Sequence, residues 1–145
     1  LVISALRENL LTMNTFLRLN RGMLRQPLNI RIWLMLLVGV NFVAPLFFLG
    51  RIEATLTLAA FFAGFAIMMI VTATTGYTRL LGIAHILWYP LIGFLWTRLD
   101  GTVARDPFDV WLRLLMLLNA VSLVIDTVDV VRYMAGDREE TVAGL

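Results

Sequence analysis

Cysteine is absent from the sequence, lysine is absent too, and histidine occurs once, as His85. Without thiols the chain has no disulfide framework, no thiolate metal site and no thiol redox chemistry. Without a lysine amine it has no retinal-type Schiff base. A lone histidine excludes a bis-histidine haem held within the chain. All twelve basic residues are arginine, a usage that fits a GC-rich coding sequence. Charge is scarce as well: 15% of residues are charged and the net charge is +2, too little to point to a nucleic-acid partner.

What fills the chain instead is apolar. Sixty per cent of the residues are hydrophobic, and a soluble fold of this size would leave that surface exposed in large patches. The composition therefore predicts an all-α integral membrane protein, a four-helix bundle preceded by an amphipathic helix. The predicted spans cover about residues 30–49, 54–74, 80–96 and 110–134, within a bundle over 26–134.

Residues 1–25 carry Ile3, Leu6, Leu10, Met13, Leu17 and Leu24 at helical spacings, with Arg7, Asn14, Arg18 and Arg21 on the other faces. That pattern predicts a helix in the membrane interface, with a short self-association seam as the alternative. It is not expected to be a signal peptide, since Arg7, Glu8 and Asn9 interrupt its apolar residues. Pro45 predicts a kink near Asn41 in the first span. Ala59, Ala60, Ala63 and Gly64 give the second span a small-residue face for close helix packing. Asp106, Pro107 and Asp109 read as a helix start. Trp33, Trp96 and Trp111 fall at span ends, where an aromatic belt accounts for them. Residues 135–145 are expected to form a flexible, frayed tail.

Eight of the twelve arginines fall on one side if the N-terminus is inside. The positive-inside rule then predicts a multi-pass protein of a bacterial inner membrane with both termini cytoplasmic.

The fourth span holds the feature that points to chemistry. Asn119, Ser122, Asp126, Asp129 and Tyr133 recur at spacings of three and four, forming one polar stripe that should turn away from lipid. His85 lies seven residues inside Thr78, and Asp126 seven residues inside Tyr133. Both are then about 10 Å from the same membrane edge, so they can meet if their helices are neighbours. Tyr89 and Thr72 are expected to border the same place. The candidate ligand or ion site is therefore His85, Asp126, Asp129 and Arg132, with Tyr89, Asn119 and Ser122 around it. A purely structural role stands beside this reading: Asp129 and Arg132 can pair on one helix, and Asp126 can be tied to His85 to hold the bundle together.

No cofactor is required by these residues. His85 beside Trp88, Tyr89 and Pro90 also has the pattern of a haem or pigment ligand, although an ordinary hydrogen-bonded histidine is the commoner role. No catalytic nucleophile–base pair is evident. The first span lacks the acidic residue of small multidrug transporters, and the second lacks the polar pattern of membrane glutathione enzymes. The expected function is binding: an accessory or assembly subunit in contact with a partner membrane subunit, or a homo-oligomer that holds membrane lipid or another lipophilic ligand. A small channel or proton-coupled transporter using Asp126 and His85 is the alternative.

Overall fold

The computed structural model describes residues 1–101 and 103–145. Among these residues the chain forms α1 (Val2–Leu24), α2 (Leu28–Phe48), α3 (Ile52–Thr75), α4 (Arg79–Trp96) and α5 (Pro107–Met134). Helices α2 to α5 are each long and apolar enough to cross a membrane. The chain is an all-α membrane protein, and its surface shows it. Leu36, Phe47, Phe62, Ile70, Val124 and Val131 all point outward, whereas Asn41, Thr57, Thr72, Asn119 and Ser122 are buried. Backbone groups in hydrocarbon must be satisfied within the segment, which is why every span is helical.

Two of the spans are not regular, and proline explains both. Helix α2 is α-helical to Val38, widens into a π-turn over Gly39–Val43 and tightens into a 3-10 turn over Ala44–Phe48. In the widened pattern the Val40 carbonyl would face the nitrogen of residue 45, and Pro45 has no N–H to offer. The Trp111 indole supplies that donor, at 2.9 Å from the Val40 oxygen. Trp111 is thus buried, stacked with Phe48 at 5.2 Å, rather than sitting in an interfacial belt. Its indole N–H decides the matter, because it can find a partner in the bundle only where α2 is bulged.

Helix α4 starts as a 3-10 segment, Arg79–His85, and becomes α-helical only from Trp88. Pro90 cannot accept the preceding turn as a continuous α-helix, since its ring would collide with the Ile86 carbonyl. The 3-10 segment is wedged between α3 and α5. A Cβ at Gly64 of α3 would lie 2.8 Å from the Ala84 carbonyl oxygen, and a Cβ at Gly82 would lie 2.8 Å from the Asp126 carbonyl oxygen. Glycine at these two positions lets three backbones touch.

The end of the bundle where α2 begins and α5 finishes is here called proximal. The opposite, distal half is a dry core in which Leu95, Leu112 and Leu115 have no exposed surface. It is closed by an ion pair between Arg98 and buried Glu53, 2.7 Å apart, and by the Arg51 guanidinium 4.4 Å above the Phe108 ring. Asp106 caps α5, accepting from the Asp109 N–H at 2.8 Å.

Helix α1 touches the bundle only through its last third. Phe16 meets Phe65 edge-on, Leu19 is fully buried and Gly22 lies against the Tyr77 ring. Residues 1–14 are exposed. The tail makes polar contacts with the rest of the chain. Glu140 accepts from Arg18 and from the Tyr77 N–H, the Thr141 N–H donates to the Tyr77 carbonyl, and Arg25 donates to the Gly144 carbonyl. Of the tail's carboxylates, Asp137 and Glu140 find arginine or backbone partners, which ties these points of an otherwise exposed segment to the bundle.

Candidate functional site

The polar stripe of α5 faces inward. Asn119 and Ser122 are buried, and Asp126 and Asp129 are half-buried. The 3-10 segment of α4 delivers His85 to this stripe, since its steeper rise of about 2.0 Å per residue carries the chain inward quickly. His85 Nδ1 lies 2.8 Å from Asp126 Oδ2, and the Ser122 hydroxyl donates to the same oxygen at 3.2 Å. The imidazole lies face to face with Trp88, their centroids 3.9 Å apart. Stacking on one side and the carboxylate on its edge fix the orientation of the ring.

His85, Ser122 and Asp126 line a half-open cavity of about 360 Å³. Its polar wall is Arg79, His85, Ser122, Asp126 and Asp129, and its apolar wall includes Trp33, Leu34, Leu37 and Met68. Tyr77 and Thr141 border it at the proximal end, so the tail forms part of the enclosure. Burial pushes the Tyr77 phenol above its usual range, against a smaller lowering by the Gln26 side chain, so it stays neutral.

Deeper in, Asn41 and Asn119 form a reciprocal amide pair. Asn41 Nδ2 donates to Asn119 Oδ1 at 2.7 Å and Asn119 Nδ2 donates to Asn41 Oδ1 at 2.9 Å, with both residues fully buried. This pair separates the polar half of the interior from the dry distal core.

Three of the expected residues lie elsewhere. Arg132 is exposed and binds Asp137 of the tail at 2.7 Å instead of Asp129. Asp129 is taken by Arg79, at 2.8 Å, whose Nε also reaches Asp137 at 2.8 Å. An arginine from a neighbouring helix can approach the inward carboxylate head-on, whereas Arg132 leans toward the surface. Tyr89 is exposed and pairs with the Thr127 hydroxyl at 2.6 Å, in an outward groove between α4 and α5. One turn beyond His85 on a helix that starts as 3-10, it points away from the cavity. Thr72 is fully buried, its hydroxyl has no partner among the described residues, and it does not line the cavity. Arg79 and Asn41 were not legible as site residues. Arg79 was one of several arginines at its membrane edge, and Asn41 signalled only a kink.

Asp137 ties the tail to the bundle. Burial works to raise its carboxyl, but hydrogen bonds and charge from Arg79, then Arg132, outweigh this and hold it below the usual carboxylate range. A depressed carboxyl contributes fully above its unfolded value, near pH 4, and the contribution is lost as pH falls through the depressed value. Hydrogen exchange in residues 137–145, corrected for intrinsic rates, should therefore be faster at pH 3 than at pH 6. Equal protection at both would show that the Asp137 contacts do not hold the tail.

Compared with known proteins, the chain matches no family, no curated sequence and no solved structure.

Proposed function

We propose that the chain binds an amphipathic, lipid-like molecule, with its polar end in the cavity beside His85, Ser122 and Asp126 and its apolar part along α2. One observation carries this reading. A second, apolar groove of about 670 Å³ runs along α2, and it shares Met23 and Leu34 with the wall of the polar cavity. A polar chamber and an apolar groove that share a wall match a molecule with a head and a tail. Sites that hold such ligands are mostly apolar with a few convergent polar groups. The arginine excess at the proximal end supports placing the cavity in the cytoplasmic leaflet of a bacterial inner membrane. The groove, rather than a surface for a partner subunit, is what favours binding.

A transport reading has its own support in the His85–Asp126 pair, a place where a proton could be exchanged. Beyond Asn41 and Asn119 the leucines pack closely and the buried polar residues Thr57 and Glu53 are already paired, with the Glu53 carbonyl and with Arg98 respectively, which favours binding over passage.

Native mass spectrometry of the protein purified in mild detergent tests the proposal. The wild type should retain a lipid-sized adduct. Gly39 lines the groove and has open space where a side chain would grow, so Gly39→Phe should fill the groove and lose the adduct while the fold persists. Wild-type protein free of any adduct, or equal loading of Gly39→Phe, would sink the reading.

A further inference from the structure

Resting on that reading, we infer that the head group accepted by the cavity carries a positive charge, as an amine or quaternary ammonium. The charges around the cavity decide this. Arg79 is committed twice, to Asp129 and to Asp137, and Arg132 is committed to Asp137. These two arginines and the two carboxylates Asp129 and Asp137 therefore satisfy one another. Asp126 stands outside these arginine pairs, and its one ionisable partner is His85, which is a cation only when protonated. Its two partners, His85 and Ser122, both meet Oδ2, and Oδ1 has no donor among the described residues. No arginine reaches it.

An anionic head would have to sit beside Asp126 and Asp129 with Arg79, the one lining arginine among the described residues, already engaged, and like charges in a half-buried site repel. A cation would meet the free oxygen of Asp126. It would also meet aromatic walls, since Trp33 and Tyr77 line the same cavity and ring faces attract ammonium groups. Arg18, paired with Glu140 behind Tyr77, does not line the cavity, and Arg31 lies in the groove. There it suits the phosphate of a zwitterionic lipid whose amine is inside. The chemistry fits both a membrane lipid with an amine head and a free cationic amphiphile.

The test loads delipidated protein in mild detergent with phosphatidylethanolamine, phosphatidylglycerol or dodecyltrimethylammonium and reads retention by native mass spectrometry. Phosphatidylethanolamine and dodecyltrimethylammonium should be retained at least tenfold better than phosphatidylglycerol. Asp126→Asn should erase that preference and Asp126→Glu should restore it, which separates loss of charge from loss of fold. Retention of dodecyltrimethylammonium without phosphatidylethanolamine would assign the site to a free cationic amphiphile and still support a cationic head. Phosphatidylglycerol retained as well as the cationic probes, or a preference that survives Asp126→Asn, would overturn the inference and leave lipid binding standing. Retention of none of the three would overturn both.

Discussion

Gly82→Ala should destabilise the bundle by about 1–3 kcal/mol, whereas Gly93→Ala in the same helix should be neutral or stabilising by roughly 0.5–1 kcal/mol. The chemical change is identical and the surroundings are opposite. At Gly82 the new methyl would lie 2.8 Å from the Asp126 carbonyl oxygen and 3.0 Å from its Cα. These are backbone atoms of α5, so no side chain can rotate out of the way. The 3-10 segment would have to withdraw, and it carries His85 three residues further on. The substitution should therefore also loosen the His85–Asp126 contact, visible as a change in Trp88 fluorescence as the stacked imidazole shifts. At Gly93 a methyl meets nothing within 4 Å, and only the backbone entropy of glycine is removed. Thermal unfolding in one detergent compares the pair directly. Equal effects at the two positions would mean that the close contact of α4 and α5 is not what the stability depends on.

The second large effect is expected at the amide pair. Asn41→Leu and Asn119→Leu each leave a buried amide without its partner, a loss of about 1–3 kcal/mol. Replacing both should cost much less than the sum, because no polar group is then stranded. The two single changes should differ, however. Asn41 also donates to the Leu37 carbonyl at 3.0 Å, inside the turn that Pro45 disturbs, and Asn119 has no such second duty among the described residues. Asn41→Leu should be the worse of the two, and the double variant should retain that excess. Additive single effects in a double-mutant cycle would show that the pair contributes nothing as a pair.

Periodicity made much of this legible. Long apolar runs marked the four spans, and the three- and four-residue spacing of Asn119, Ser122, Asp126 and Asp129 marked the inward face of α5. Depth along two helices brought His85 to the level of Asp126. Such patterns say which face turns inward but not which neighbour it meets. Arg79 could not be assigned to Asp129, since Arg132 was closer in sequence and equally plausible. Asn41 and Asn119 are 78 residues apart, and neither spacing nor composition joins them. The tail's contacts were hidden for the same reason: Asp137 and Glu140 meet arginines that only the folded chain brings near. Pro45 announced an irregular helix, but whether it would give a kink, a π-turn or a 3-10 segment depends on what fills the vacant donor position.

The clasp between Arg18 and Glu140 joins residues 122 positions apart in the chain. At a synthesis rate of roughly 5–20 residues per second, about 6–24 s pass between the making of one partner and the other. Throughout that interval α1 has no Glu140 to bind, and the Thr141 side of the cavity does not yet exist. During biogenesis the bundle is thus an unfinished vessel, with the chamber beside Asp126 still open on that side until Glu140 and Thr141 are made.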